Sequence, residues 1–154
     1  MTTVSMINPN RIVPVQEDLT TPVNQLEIIR GWEKMHRVDK QFTDTFVAGE
    51  WAVLGDNDKL TRPGATAAKN TYLVFCGNDR TDVAATGKVG IVMASKIVVR
   101  TTMFVADTYH VGDALNVKNP LSNDNASIGK AAGGEPVLAY LTKLGTNFIE
   151  FETV

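Results

Sequence analysis

From about residue 42 onward, apolar residues come in short runs broken by glycine, asparagine and aspartate. Thr43 to Leu54 is rich in aromatic and β-branched residues and reads as extended. It stops at Gly55-Asp56-Asn57-Asp58, a cluster of turn formers. Lys59 to Arg62 is a further short run, closed by Pro63-Gly64. Strands are predicted over Thr71–Cys76, Val89–Met93 and Ile97–Val105, and Gly77-Asn78-Asp79 punctuates the first of them. Val111-Gly112-Asp113 forms a turn into a strand over Ala114–Lys118. Asn119 to Gly134 reads as a loop. Pro136–Leu144 and Asn147–Thr153 read as a terminal hairpin bent at Gly145-Thr146. Many short strands with no alternating helices predict an all-β barrel or sandwich and argue against a nucleotide-binding βαβ fold.

Residues 1–41 differ. Leu26, Ile29 and Trp32 share one face at helical spacing, so residues 24–37 are the best helix candidate. Gly31 argues against it, and an extended conformation is the alternative. Before it, Pro9, Pro14 and Pro22 favour an extended backbone. Val4, Met6, Ile7, Ile12, Val13 and Val15 make the segment too apolar for a solvated tail. The expectation is an N-terminal arm, 1–41 with its short helix, ahead of a domain at 42–154. The arm lies either on its own domain or on another surface.

Composition narrows the function classes. The chain has 154 residues, 44% hydrophobic and 21% charged, with a formal net charge of −2. That suits one folded domain and gives no electrostatic reason to seek nucleic acid or an anionic membrane. The densest basic stretch, Arg30, Lys34, His36, Arg37 and Lys40, is interleaved with Glu27, Glu33 and Asp39 and reads as a solvated face. Met1–Val15 lacks the basic and apolar regions of a secretory signal. No apolar run approaches the length of a membrane span.

Candidate chemistry is sparse. Cys76 is the single cysteine and sits in an apolar run, so a buried hydrophobe is expected rather than a nucleophile. His36 and His110 are the two histidines, and no pattern ties either to a serine or to Cys76. Asp56-Asn57-Asp58 and Asn78-Asp79-Arg80-Thr81-Asp82 offer oxygen ligands, but the second lacks the glycine and distal glutamate of a calcium loop. Gly87-Lys88 and Gly129-Lys130 lack the spacing of a phosphate cradle and read as turns. No catalytic residue, cofactor or metal is expected.

The last third carries a recognisable pattern. Val111-Gly112-Asp113-Ala114-Leu115-Asn116-Val117 leads through a small-residue loop to Ile128-Gly129-Lys130-Ala131-Ala132-Gly133-Gly134-Glu135-Pro136-Val137-Leu138-Ala139, and the chain closes with Phe148-Ile149-Glu150-Phe151. This resembles the capsid decoration, or cement, proteins of tailed bacteriophages, closely over residues 105–154 and in general character over 42–104. The resemblance implies a β-tulip-like domain with motif turns at Gly112, Asp113, Gly129, Lys130, Gly134, Glu135 and Pro136. It implies a homotrimer on the outside of a virion, made in the bacterial cytoplasm, with the major capsid protein as partner. Val4, Ile7, Pro9, Ile12, Val13, Pro14 and Val15 would then contact the capsid. Apolar residues on both faces of Ile97-Val98-Val99 and of Thr102–Val105 point the same way, being more than one small core needs. A tail or baseplate component is the alternative, and a small ligand-binding barrel or enzyme a further one.

Overall fold

The computed structural model describes residues 26–34, 36–63, 70–77, 85–93, 95–118 and 127–154. Residues 1–25 of the expected arm, the oxygen-rich stretch Asn78–Asp82 and residues 119–126 of the Asn119–Gly134 loop lie outside the described residues. What is described is all-β. Eleven strands form a closed barrel and an open sheet. The barrel comprises β2 (Arg37–Phe42), β3 (Trp51–Leu54), β4 (Lys59–Thr61), β5 (Thr71–Cys76) and β6 (Lys88–Val92), in the order β2-β4-β3-β5-β6. The β2–β4 pairing is parallel and all the other ladders are antiparallel. The sheet comprises β1 (Leu26–Arg30), β7 (Val98–Thr101), β8 (Ala114–Lys118), β9 (Ser127–Lys130), β10 (Ala139–Leu144) and β11 (Ile149–Thr153), in the order β1-β7-β11-β10-β8-β9.

Two apolar clusters follow from the period of 2 along each strand. Phe46, Ala52, Leu60, Val74, Val89 and Ile91 fill one, with Val38, Phe42, Leu54 and Tyr72 against it. These residues belong to the barrel strands and to the bend before β3. The alternate residues of the same strands, Trp51, Leu73 and Val92, join the other cluster with Leu26, Ile28, Val99, Leu115, Leu141 and Phe151 from the sheet. Along β3, β5 and β6 the barrel wall is therefore apolar on both sides, because one side faces its own interior and the other the sheet, whereas β2 turns Arg37, Asp39 and Gln41 to solvent. A bulge between Val74 and Cys76 changes the alternation, so that Phe75 and Cys76 both enter the second cluster.

The expected helix over 24–37 is replaced, in its described part, by β1 and a single 3₁₀ turn at Trp32–Lys34. Leu26 and Ile28 are both buried, the spacing of a strand, and Leu26–Arg30 pairs with β7. Gly31 ends the strand with a φ of +85°, a left-handed conformation that glycine adopts without cost. Residues 26–42 thus supply one strand to each sheet.

Other boundaries also move. The expected strand Thr43–Leu54 shrinks to β3, because the chain bends over 43–50 to place Phe46 in the barrel. Gly49, at φ +100°, and the Glu50 N–H donating to Val47 O at 3.1 Å make that bend. The run Ile97–Val105 ends as a strand at Thr101, whose Oγ1 accepts the Met103 N–H at 3.0 Å and competes with the ladder. The hairpin forms, but its first strand begins at Ala139 rather than at Pro136.

Candidate functional site

Most of the motif residues gather where β8, β9 and β10 meet, and they do so through two turns built alike. In the first, the Asp113 N–H donates to His110 O at 3.0 Å, with Gly112 at φ +96°. A Cβ on Gly112 would meet nothing within 4 Å, so its glycine is required by conformation and not by space. The Asp113 carboxylate turns back and accepts the His110 N–H at 2.8 Å. In the second turn the Glu135 N–H donates to Ala132 O at 3.1 Å, with Gly134 at φ +86°. The Glu135 carboxylate accepts the Ala132 N–H at 2.8 Å. Each turn is closed by the backbone and then locked by the carboxylate at its fourth position.

Each carboxylate also meets a lysine from the β8–β9 hairpin. Lys130 Nζ lies 3.9 Å from Asp113 Oδ2 and donates to Thr108 O at 3.1 Å. Lys118 Nζ reaches both oxygens of Glu135, the farther at 2.7 Å. The Lys118 hydrogen bond, then that of the Ala132 N–H, holds the Glu135 carboxyl below the usual carboxylate range.

Gly129 and Lys130, expected as a turn, are instead the last two residues of strand β9. The absence of a side chain at Gly129 matters sterically. A Cβ there would approach Lys118 Cγ to 2.6 Å and Val105 Cβ to 3.2 Å, so the lysine stem crosses the space that glycine leaves. Pro136 is in neither turn; its carbonyl accepts the Asn116 side-chain N–H at 2.7 Å.

The first turn is anchored on β10, where the Gly112 N–H donates to Leu141 O at 2.8 Å and the Leu141 N–H to Asp113 O at 2.9 Å. Beneath it Tyr109 is buried and its hydroxyl donates to Val105 O. Burial, then the negative charges of Asp107 and Asp113, pushes this hydroxyl up to about 12. The result is a braced corner that displays Val111, 67% exposed, and Tyr140, 46% exposed.

Sequence reasoning found the glycines and acids of this corner and missed Lys118, Asn116 and Thr108. No local pattern marks Lys118, because its partner lies 17 residues away.

The residues considered for chemistry fall elsewhere. Cys76 is buried between the barrel and the sheet. His36 and His110 are exposed. Asp56-Asn57-Asp58 is a tight turn: Asp58 has φ +63°, the Asp58 N–H donates to Gly55 O at 3.0 Å, and Lys40 Nζ meets Asp58 Oδ1 at 2.7 Å. Among the described residues no three His, Cys, Asp or Glu side chains group as metal ligands, and no helix is long and apolar enough to cross a membrane. A cavity of about 160 Å³ lies between the layers, lined by Trp51, Leu73, Ile97, Leu138 and Val154 among others.

In comparisons with known proteins, no family model, no curated protein and no solved structure matches the chain.

Proposed function

We propose that the protein is a structural module that acts by binding other proteins, and that it decorates and stabilises the exterior of a bacteriophage capsid by docking on major capsid subunits. One observation carries the reading. Gly112-Asp113 and Gly134-Glu135, the turn residues that carry the resemblance to cement proteins, form one braced corner with paired carboxylates and lysines and an outward apolar tip. A corner of this kind holds shape, which is what a contact surface requires. Its carboxylates are engaged by lysines and backbone N–H groups, which suits them to architecture rather than to proton transfer.

Trimer formation belongs to the same proposal and rests on the resemblance alone. The apolar residues that suggested it are used within the chain itself: Val98 is 2% exposed, Val99 fully buried and Met103 4% exposed. Docking of the segment containing Val4, Ile7, Pro9, Ile12, Val13, Pro14 and Val15 on the capsid is likewise proposed, and it lies outside the described residues.

The test is quantitative mass spectrometry of purified particles from the source culture, with re-addition of the protein to particles stripped of it. A copy number within a few-fold of the major capsid protein, with restored heat resistance on re-addition, is the expected result. A copy number far below that of the capsid protein would make it a tail or baseplate component. Absence from particles overturns the proposal.

A further inference from the structure

We propose that a cleft on the outer face of the open sheet, between β1, β7 and β11, is a docking site for an acidic, partly apolar segment of a partner protein. This rests on the reading of the protein as a protein-binding module and adds where and what it binds.

The cleft measures about 470 Å³ and is lined by Ile29, Arg30, Gly31, Glu33, Lys34, Lys96, Val98 and Glu152. Its geometry comes from three irregularities that meet. β1 carries a bulge between Ile28 and Arg30. Gly31 turns the chain at φ +85°. Lys96 holds a φ of +59°, which non-glycine residues seldom adopt. The turns touch, for a Cβ on Gly31 would lie 3.2 Å from Lys96 O and 3.0 Å from Ile97 Cγ2. Bulges and left-handed non-glycine residues concentrate where side chains are aimed for a purpose.

The charges are aimed but not used. Across the strands Arg30 and Glu152 both pair with Val98, which stands between them as a buried floor. Among the described residues none of the side chains of Arg30, Glu33, Lys34, Lys96 and Glu152 has a hydrogen bond or ion pair. The neighbouring basic residues behave otherwise: Arg37 pairs with Asp39 at 2.6 Å and Lys40 with Asp58 at 2.7 Å. Three cations against two carboxylates give the cleft an excess of positive charge over an apolar floor of Ile29 and Val98. Carboxylates satisfy the cations and an aliphatic side chain fits the floor, so the matching occupant is an acidic segment with interspersed apolar residues.

The experiment measures binding of a fluorescent peptide alternating glutamate and leucine to the full chain, by anisotropy. Its glutamine counterpart and polyphosphate serve as comparisons. We expect binding that weakens as salt rises and falls at least about tenfold in R30Q/K34Q/K96Q. The control K88Q/K143Q, with exposed lysines elsewhere, should bind as the parent does, and circular dichroism and thermal melts should show all variants folded. Equal binding of the glutamine peptide, tighter binding of polyphosphate, or no loss in the triple variant overturns the proposal. Should the triple variant fail to fold, the single variants R30Q and K34Q are read in the same way, each expected to weaken binding, and no effect from either overturns it. Failure here leaves the capsid reading standing. Peptide binding by a protein absent from particles would sink the capsid reading and leave the cleft.

Discussion

The barrel and the open sheet are built from similar strands yet meet opposite constraints. Closing the barrel pairs every strand on both sides and leaves no free edge, but it encloses only a small interior. Strands such as β5, with Val74 turned inward and Leu73 outward, must therefore be apolar on both faces, and the sheet covers the outward one. The sheet has one face on the barrel and one face outward, and β10 shows the alternation that follows. In β10, Ala139 and Leu141 are buried while Tyr140 and Leu144 are exposed. Phe151 of β11 enters the core, while Phe148, just before that strand, lies beneath Arg100, whose guanidinium is 4.4 Å from the ring centroid. The barrel is thus the support, and the outward face of the sheet with its corner and cleft is where contacts can be made.

That comparison breaks most readily at the seam. Phe151 is fully buried, with its ring 6.1 Å from that of Trp51 on the barrel wall. Phe151→Ala is expected to cost about 3–5 kcal/mol. Urea unfolding followed by tryptophan fluorescence and by circular dichroism should still give one coincident transition, because each layer needs the other to cover it. Two separated transitions would mean that the barrel stands alone.

A smaller effect distinguishes the ion pairs of the two regions. Arg62 Nη1 meets Glu50 Oε2 at 3.1 Å at the barrel, where the Glu50 side chain is 1% exposed. Arg62→Leu is expected to destabilise by about 3 kcal/mol, since it leaves a buried carboxylate with less compensation. Lys118→Leu at the corner should cost about 1 kcal/mol or less, since Glu135 is closer to solvent. Equal costs would remove the distinction between a buried clasp and a surface brace.

The smallest effect is in pH. Glu135 has a carboxyl pKa lowered by folding, so its contribution is present above the unfolded value and fades as pH falls through the folded one. The stability difference between the parent and Glu135→Gln should therefore be constant near neutrality and shrink below about pH 4.3. A difference independent of pH in thermal melts would mean that the lysine contact contributes nothing.

Much of the strand inventory could be read from local chemistry. Thr71–Cys76 and Ala114–Lys118 are strands with the expected limits, and Gly145-Thr146 bends the last hairpin. β9 was hidden, because Ser127-Ile128-Gly129-Lys130 offers one large apolar residue among small and polar ones and pairs only through its place beside β8. β1 was read as helical because Leu26, Ile29 and Trp32 fit that spacing as well as Leu26 and Ile28 fit a strand. Five residues are too few for either period to win. In the corner, Gly112-Asp113 and Gly134-Glu135 were legible as turns, while their lysine partners were not.

The sequence by itself determined the class of fold: β-branched runs cut by glycine and aspartate turns allow little besides short strands. It also marked the left-handed turns at Gly112 and Gly134, where glycine adopts a positive φ without cost, but not those at Gly31, Gly49 and Lys96. Only the tertiary structure decided which strands close into a barrel, that β2 and β4 run parallel, and that the second apolar face of β3, β5 and β6 is covered by the chain's own sheet. The physical reason is that strand pairing joins backbone groups that are alike in every residue but proline. Partner choice then depends on how the apolar faces can be buried together, which no short window of sequence contains.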